Sequence, residues 1–273
     1  MTRISRTEFA SLLDCAHDLA DRSGQVILPH FRKPLQVDNK AEAGMFDPVT
    51  IADRAAERVI LKALKQNYPE HAVEGEEFGT QPGAGAGASP LRWVIDPIDG
   101  TRSFIMGLPT WGTLIGLMDG DTPLLGVMDQ PFTQERFWST AKASFFRGPD
   151  GREKRLKTRS CASLADATLS TTHPDLFAGG AEARGFQKLR AKAKTTRYGG
   201  DCYAYCLLAA GHIDIIIEAG LKPYDIAALI PIIERAGGAI TSWTGSSCAQ
   251  GGRVLACGDR TLHAAVLAEL AGK

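Results

Sequence analysis

The chain has 273 residues, 44% of them hydrophobic, and its 31 Lys and Arg balance its 31 Asp and Glu. That length can bury a sizeable core without disulfides, and the zero net charge gives no electrostatic reason to bind nucleic acid or an acidic membrane. The sequence has no apolar run of the ~18 residues that a membrane span needs, no signal-peptide core and no framework spacing among its cysteines. We therefore expect a soluble, cytoplasmic protein.

The first half of the chain is predicted to hold two helices followed by antiparallel strands. Apolar residues at helical intervals predict a helix over 7–32, and Thr50 with Asp53 has the spacing of a capping box before a second helix. The Gly-, Ala- and Pro-rich segment 79–90 is predicted to be a mobile surface loop. Strand-like runs close enough for antiparallel pairing lie at 92–96, 110–118, 124–129 and 136–140.

After about residue 145, predicted strands and helices alternate. The strands are predicted at 167–171, 195–198, 213–218 and 253–257, and the helices at 180–194, 202–210, 224–236 and 262–270. Alternation favours a mixed or parallel sheet with helices on its faces. The sequence therefore predicts an α+β domain over 1–145 and an α/β domain over 146–273.

Several signatures of catalysis are missing from the sequence. It has no P-loop, no GxGxxG dinucleotide fingerprint, no GxSxG nucleophile turn and no HExxH zinc helix, and its six histidines are isolated. The interval between Cys248 and Arg253 is too short for the phosphate loop of a cysteine phosphatase. These absences direct attention to the carboxylates.

The segment with the most chemistry is 93–101, Trp-Val-Ile-Asp-Pro-Ile-Asp-Gly-Thr. An apolar strand runs into Asp96, the following proline ends it, Gly100 permits a tight turn and Thr101 can begin a helix. Asp96, Asp99 and the Ile98 carbonyl would then lie at the carboxyl end of a strand, beside a helix N-terminus whose free N–H groups attract anions. This arrangement is typical of metal-assisted phosphoryl chemistry.

Two further acidic residues can complete this group. Glu76 follows a strand-like pair at 72–73, and Asp225 stands at the start of a later helix. If both converge with Asp96 and Asp99, negative charges share one pocket, and two charges ~4 Å apart repel by ~4 kcal/mol at an effective dielectric near 20. Such a group needs cations, and its oxygen ligands favour Mg²⁺ over zinc. Two ions ~3.5–4 Å apart would stabilise both the attacking water and the leaving oxygen.

Each residue also has an ordinary explanation when taken alone. Asp53 is explained by helix capping, and Asp225 gains from the helix dipole without any metal. Asp99 with Gly100 is a common turn. The strand–turn–helix order of the whole set favours the metal site. The spacing of Asp96 and Asp99, three residues apart, excludes aspartyl-phosphate phosphatases, whose paired carboxylates are two apart.

With these residues in order, the chain resembles the inositol monophosphatase superfamily. The resemblance implies a layered α-β-α-β-α sandwich that forms a homodimer. It also implies hydrolysis of a small-molecule phosphate monoester with two or three Mg²⁺ ions, and inhibition by Li⁺. The matching segments span nearly the whole chain and are Asp53, Gly75-Glu76-Glu77, 93–101, 224–228 and Gly237-Gly238.

Ligand roles also follow from the resemblance. Glu76, Asp96 and the Ile98 carbonyl would hold the first metal ion. Asp96, Asp99 and Asp225 would hold the second. The domain over 1–145 thus supplies most of the carboxylates, and the domain over 146–273 completes the site.

The resemblance implies a catalytic arrangement as well. Thr101, oriented by Asp53, would position the attacking water together with Glu76. The N–H groups of Gly100 and Thr101 would hold the phosphate. Water then attacks the phosphate directly, without a covalent intermediate.

Within the superfamily, the chain is most similar to the histidinol-phosphate phosphatases of histidine biosynthesis. The similar segments are 101–107, 111–115, 198–203 and 221–225. Relatives of the inositol type commonly carry a polar residue where Met106 stands and a tryptophan where Tyr224 stands. The resemblance therefore implies hydrolysis of L-histidinol phosphate to L-histidinol and phosphate.

Histidinol phosphate would bring an ammonium and an imidazole to the site. A carboxylate near the ammonium would contribute ~1.5–3 kcal/mol, and Asp201 and Glu218 are the candidates. Asp201 directly precedes the predicted helix at 202–210 and can also be its N-cap. Arg197 faces either the phosphate or the surface. The remaining substrate contacts are expected from Asp99, Gly100, Thr101 and Asp225.

Two alternatives stay open. An inositol-1-monophosphatase or another sugar-phosphate phosphatase would keep every metal ligand. From a different class, a catalytically idle fold would bind protein or RNA through the basic runs at 152–159 and 184–197. The complete carboxylate set argues against the idle fold, because unused like charges in one place cost stability.

Overall fold

The computed structural model describes residues 4–34, 36–39, 48–85, 89–177 and 179–272. Within these ranges the α-helices are α1 Arg6–Ile27, α2 Ile51–Asn67, α3 Thr101–Met106, α4 Gly180–Lys192, α5 Asp201–Ala209, α6 Pro223–Ile226, α7 Leu229–Ala236 and α8 Arg260–Leu270. The N-terminus of α2 carries the predicted capping box, in which Thr50 and Asp53 exchange hydrogen bonds with each other's backbone.

The strands form a small pair and two large sheets. The pair is β1 Val37–Asn39 with β2 Pro48–Thr50. The strands of the first large sheet are β3 Ala72–Gly75, β4 Gly79–Gln81, β5 Leu91–Asp99, β6 Gly112–Asp119, β7 Thr122–Gln130, β8 Glu135–Ser139, β9 Ser144–Arg147 and β10 Glu153–Arg155. Those of the second are β11 Thr168–Thr171, β12 Thr195–Tyr198, β13 Ile215–Leu221, β14 Ala239–Ser242 and β15 Gly252–Cys257.

The two sheets differ in strand direction, as the sequence predicts. The first has the order β10-β9-β8-β7-β6-β5-β3-β4, and only its β3–β5 pair is parallel. The second has the order β12-β11-β13-β15-β14, with β11 parallel to both neighbours and β15 antiparallel to both of its own. The expected antiparallel and mixed sheets are therefore confirmed.

Three apolar clusters bind five layers together. Trp93 of β5 packs with α1 and α2, whereas its neighbour Val94 packs with α5 and α7, as the two-residue period of a strand requires. In the second sheet, Ile216 faces α5 and α7, and Ile215 faces α4 and α8. Each fully buried side chain of this kind contributes about 1.5–3 kcal/mol. The predicted α-β-α-β-α sandwich is thus confirmed.

Prolines, which lack a backbone donor, contribute to two differences from the predicted helices. Helix α1 ends at Ile27 and not near residue 32, because Pro29 cannot donate to the helix and lies in a short 3-10 turn, Leu28–His30. The helix predicted over 224–236 is two helices, α6 and α7. Pro231 cannot donate to the carbonyl four residues earlier, and the backbone at Ala228 lies directly on Gly126 of β7.

The segment 79–90 is only partly described. Its first residues form β4, which pairs with β3, so the prediction of a loop is wrong there. Residues 86–88 lie outside the described residues, and the mobility of the segment stays a prediction.

Strands β9 and β10 extend the first sheet past residue 145. The predicted division at 145/146 therefore falls inside β9. We propose that a division of the chain by sheets falls after β10.

No helix in the described part of the chain combines the length and the apolar character required to cross a membrane. All six cysteines are buried free thiols.

Candidate active site

Strand β5 continues through Pro97 to Asp99, so the prediction that this proline ends the strand is wrong, and the predicted turn follows at Gly100. The N–H of Ile98 donates to Oδ1 of Asp96 (3.0 Å), and the pairing of β5 with β6 is irregular between Asp96 and Asp99. Gly100 follows with a φ of +82°, and a Cβ at this position would lie 2.9 Å from the side chain of Asp201. Glycine is therefore required both by the turn and by the close approach of Asp201.

Two more elements bring carboxylates to this turn. Strand β3 runs parallel to β5, and the N–H of Glu76 just beyond it donates to the Ile95 carbonyl (3.2 Å). The carboxyl of Glu76 contacts that of Asp96. Helix α6 supplies Asp225, and the nearest carboxylate oxygens of Asp96, Asp99 and Asp225 lie within 4.8 Å of one another. The convergence predicted from the sequence is thus present.

The electrostatics of this carboxylate cluster favour a bound cation. Burial, followed by repulsion from Glu76, Asp99 and Asp225, holds the pKa of Asp96 well above its usual range. Burial and then Asp225 raise the pKa of Asp99 in the same way. A divalent cation would offset that repulsion, and a donor set made only of oxygens is the kind that Mg²⁺ prefers. The residues present therefore fit Mg²⁺.

Asp53 and Thr101 do not bond to each other in this structure. Oδ2 of Asp53 accepts the N–H (2.9 Å) and hydroxyl (2.6 Å) of Thr50, while its buried Oδ1 has no hydrogen-bond partner among the described residues. The hydroxyl of Thr101 donates to the Ile98 carbonyl (3.1 Å), which is the acceptor three residues back. Burial raises the pKa of Asp53 to about 6. The expected contact between Asp53 and Thr101 is therefore not observed, although an acceptor atom of Asp53 remains available.

Asp201 is not a helix cap. Gly200 occupies the N-cap position of α5, and Asp201 is the first helical residue, with a φ of +44°. Its Oδ2 accepts the hydroxyls of Ser103 (2.6 Å) and Thr110 (3.3 Å). The capping interpretation is wrong because this left-handed conformation joins the carboxylate to α3 and the segment after it instead of to its own helix.

The start of α5 also reaches the carboxylate cluster through its backbone. The N–H of Cys202 donates to Oδ2 of Asp99 (2.6 Å). Sequence reasoning missed this contact, because a hydrogen bond donated by a backbone N–H is not indicated by any pattern of side chains.

Glu218 and Asp201 share a cavity with the cluster. Oε1 of Glu218 accepts the N–H (2.7 Å) and hydroxyl (3.0 Å) of Thr172, whereas Oε2 is buried without a hydrogen-bond partner in the part of the chain that the structure describes. Burial raises the pKa of Glu218 to about 8. The cavity measures about 150 Å³ and is lined by Asp99, Thr172, Leu176, Asp201, Tyr205, Glu218, Leu221 and Asp225.

Two residues depart from the predicted set. Tyr205 lines the cavity with a buried hydroxyl that finds no hydrogen-bond partner within the described ranges. Sequence reasoning missed it because aromatic residues inside a helix usually belong to the core. Arg197 lies on β12, at the edge of the second sheet, with an exposed side chain that does not line the cavity. Of the two positions considered for Arg197 from the sequence, facing the phosphate or facing the surface, the structure shows the surface position.

Known proteins resemble this chain over nearly its full length. It is 43% identical to the chloroplastic bifunctional phosphatase IMPL2 of Arabidopsis thaliana, over 98% of this chain and 78% of that protein. It is 35% identical to the histidinol-phosphatase of Mycobacterium tuberculosis, over 92% of this chain and 95% of that protein. The structure of an inositol monophosphatase from Zymomonas mobilis matches with a TM-score of 0.84 at 40% identity, covering 96% of this chain and 98% of the other.

A model of one protein family matches residues 8–272. This match agrees with the five-layer fold, with the carboxylate cluster and with the relatives just named, and it confirms the resemblance seen in the sequence. The chain therefore belongs to the inositol monophosphatase family of phosphatases.

Proposed function

We propose that the protein is a Mg²⁺-dependent histidinol-phosphatase, which hydrolyses L-histidinol phosphate to L-histidinol and phosphate in histidine biosynthesis. The observation that carries the proposal is the cavity beside the carboxylate cluster, where two further carboxylates, Asp201 and Glu218, line the space next to Asp99 and Asp225. In a substrate with a phosphate at one end and a cationic group at the other, the phosphate would meet the metal ions of the cluster, and the cationic group would meet Asp201 and Glu218. The similarity to a histidinol-phosphatase supports the same substrate.

The proposed metal ligands are the residues of the turn and its neighbours. Glu76, Asp96 and the Ile98 carbonyl would hold one Mg²⁺, and Asp96, Asp99 and Asp225 a second. When bound there, Mg²⁺ would act as a Lewis acid on the phosphate and offset the charge of the carboxylates. The family is generally metal-dependent. We propose two or three ions for each site.

The chain's own groups would orient the reactants. Glu76 and the Thr101 hydroxyl would hold the attacking water, and the N–H groups of Gly100 and Thr101 would hold phosphate oxygens at the start of α3. Asp53 would orient Thr101 through its unpartnered Oδ1, which requires the Thr101 hydroxyl to leave the Ile98 carbonyl. Attack on phosphorus by water would then release the alcohol without a covalent intermediate.

Specificity would come from the second sheet. The ammonium of histidinol is a strong donor, and a bond to Asp201 or Glu218 would contribute about 1.5–3 kcal/mol. The fold leaves Oε2 of Glu218 without a partner among the described residues, and an ammonium beside it would favour the ionised carboxylate over the protonated form that the raised pKa favours at neutral pH. An uncharged polyol would gain less from either carboxylate.

A second candidate is an inositol-1-monophosphatase. The likeness to the inositol monophosphatase from Zymomonas mobilis, at 40% identity, favours it. All proposed metal ligands would be unchanged in this alternative, and only the roles of Asp201 and Glu218 would differ.

The substrate is tested by phosphate release from histidinol phosphate and from inositol 1-phosphate, each with Mg²⁺ and with a chelator. We expect activity only with Mg²⁺ and a kcat/KM for histidinol phosphate at least about tenfold higher, since one charge-assisted bond is worth that much. A better kcat/KM for inositol 1-phosphate would overturn the proposal in favour of the second candidate. An inactive protein that copurifies with RNA or another protein would favour the remaining alternative, a catalytically inactive fold that binds protein or RNA.

We further propose a cytoplasmic homodimer that Li⁺ inhibits. Light scattering after size exclusion would give twice the 29.3 kDa of one chain for a dimer. A mass equal to one chain would contradict the dimer without touching the proposed chemistry.

A further inference from the structure

A buried carboxylate on α2 has no part in the proposed chemistry. Glu57 lies one helical turn after Asp53, and its side chain is fully buried (0% exposed). Its Oε2 accepts the N–H of Glu77 (2.8 Å), and its Oε1 accepts the N–H of Phe78 (3.0 Å). Both oxygens of this buried carboxyl group thus accept hydrogen bonds from the backbone of one short turn.

That turn carries Glu76, the proposed metal ligand. On one side, the N–H of Glu76 is tied to β5 through the Ile95 carbonyl (3.2 Å). On the other side, the two N–H groups that follow Glu76 are held by Glu57. The backbone of Glu76 is therefore fixed from both directions, and the carboxyl it presents meets Asp96.

Glu57 lies so close to Gly75 that this position has no room for a side chain. A Cβ on Gly75 would lie 2.0 Å from Oε1 of Glu57, which no real contact permits. Arg58, the next residue of α2, also contacts the turn, and its guanidinium lies 5.0 Å from the centre of the Phe78 ring. Two neighbouring residues of α2 thus contact the turn.

We propose that Glu57 is a positioning residue that fixes the turn after β3, so that Glu76 completes the carboxylate cluster. The proposal rests on the proposed function for the role of Glu76. Glu57 itself lines no part of the cavity described above and acts through the backbone of Glu77 and Phe78. Groups that hold metal ligands in place typically change metal affinity or activity by about 10–100-fold when they are removed.

Glu57→Gln tests the proposal with little change in volume. The amide keeps one acceptor oxygen, and its NH₂ group cannot accept, so one of the two backbone N–H groups loses its partner. We expect a dissociation constant for Mg²⁺ about tenfold higher by calorimetry, with KM at saturating Mg²⁺ changed less than about twofold. Hydrogen exchange at the Glu77 and Phe78 amides should be faster in the metal-free protein.

Gly75→Ala disturbs the same contact from the opposite side. Its methyl group should displace the Glu57 carboxylate and reproduce both the weaker Mg²⁺ binding and the faster exchange. Because the two changes break one contact, the double variant should be no worse than the more affected single variant. This second variant carries the test if Glu57→Gln does not fold.

Glu74→Gln is the matched control. Glu74 lies on β3 near the same turn, but its carboxylate pairs with Arg92 (3.3 Å). We expect Mg²⁺ affinity and amide exchange at 77 and 78 to stay at the wild-type values in this variant.

Folded Glu57→Gln and Gly75→Ala proteins that bind Mg²⁺ within twofold of wild type would overturn the positioning role. A wild-type protein that binds Mg²⁺ but hydrolyses neither phosphate ester would overturn the proposed function alone. A wild-type protein that binds no Mg²⁺ would overturn both.

Discussion

At the scale of single residues, the neighbours of a carboxylate decide its role. Burial raises the pKa of Asp214, but hydrogen bonds from Arg159 (2.7 Å) and the Thr168 N–H (2.8 Å) outweigh it, and the net pKa is lowered. Burial raises the pKa of Asp99 too, and its neighbours Asp225 and Asp201 add repulsion. A paired carboxylate such as Asp214 stabilises the fold, whereas the repulsion at Asp99 supports its proposed role as a cation ligand.

Asp201→Asn tests the recognition of the substrate's cationic group. Asparagine tolerates the left-handed backbone of this position and can still accept the Ser103 hydroxyl, so the fold should persist. Loss of the negative charge should lower kcat/KM for histidinol phosphate by about 10–100-fold, the value of one charge-assisted bond. The kcat/KM for an aryl phosphate, which lacks the ammonium, should change by less than about threefold.

Steady-state kinetics on both esters provides the measurement. Equal losses on the two esters would mean that Asp201 only supports the turn at Gly100. Wild-type values on both would remove Asp201 from the site.

At the scale of elements, local signals predict helix starts better than helix breaks. The start of α2 was predictable because Thr50 and Asp53 satisfy the helix N-terminus by themselves. The break between α6 and α7 depends partly on Gly126, more than a hundred residues away in sequence, although Pro231 was a local sign of it. Strand β10 was hidden because Glu153–Arg155 is exposed and charged, and its sequence is typical of a solvated basic run.

Gly126→Ala tests the contact between β7 and the break. The new methyl carbon would lie 1.8 Å from the Ala228 carbonyl oxygen, so the helix pair must move off the sheet. Overpacking of this kind should lower the free energy of unfolding by about 3 kcal/mol. Gly258→Ala is the control, because its nearest contact would be an ordinary 3.4 Å.

Urea unfolding of both variants gives the comparison. A Gly126→Ala protein as stable as the Gly258→Ala control would contradict the close approach.

The contact of α1 with β8 predicts a pH dependence of stability. Burial, followed by repulsion from Arg136, lowers the pKa of His17 to about 4. At pH values between the unfolded pKa near 6.5 and this folded pKa, His17 is protonated in the unfolded chain but stays neutral in the folded chain. This titration therefore does not lower the free energy of unfolding above pH 6.5, but it lowers it progressively as the pH falls towards 4. A shift of this size corresponds to about 3 kcal/mol, which partial exposure of the ring reduces to about 1–2 kcal/mol.

His17→Phe isolates this contribution. Phenylalanine keeps a ring against Trp138, which His17 meets edge-on at 5.2 Å, and it does not titrate. The difference in unfolding free energy between wild type and variant, measured in urea, should move against wild type between pH 6.5 and 4. A difference that stays constant with pH would show that His17 titrates normally in the folded protein.

At the scale of the whole molecule, the site is assembled from both sheets. Glu76, Asp96 and Asp99 come from the first sheet and its turns, whereas Glu218 comes from the second. Asp225 arrives on α6, which packs against β5. The five-layer order, the sheet directions and the convergence of the carboxylates were predictable, because each depends on patterns within a segment or on strand ends meeting at one edge.

The parts of the site that could not be predicted depend on contacts between distant segments. Two of these are hydrogen bonds between different elements, from the Cys202 N–H to Asp99 and from the Glu77 N–H to Glu57. The third is the left-handed backbone of Asp201, which brings its side chain to another element. None of them changes the local pattern of apolar and polar residues. Only the packed molecule therefore contains them.

The central claim is that the carboxylate cluster is a Mg²⁺ site on which catalysis depends. Calorimetric titration of wild type and Asp99→Asn with Mg²⁺ tests it most directly, with thermal unfolding of both metal-free proteins alongside. We predict that wild type binds Mg²⁺, that the variant binds it at least about 30-fold more weakly, and that the metal-free variant is no less stable because one repelling charge is gone. Equal Mg²⁺ affinity in the two proteins, with phosphatase activity retained in the variant, would contradict the account.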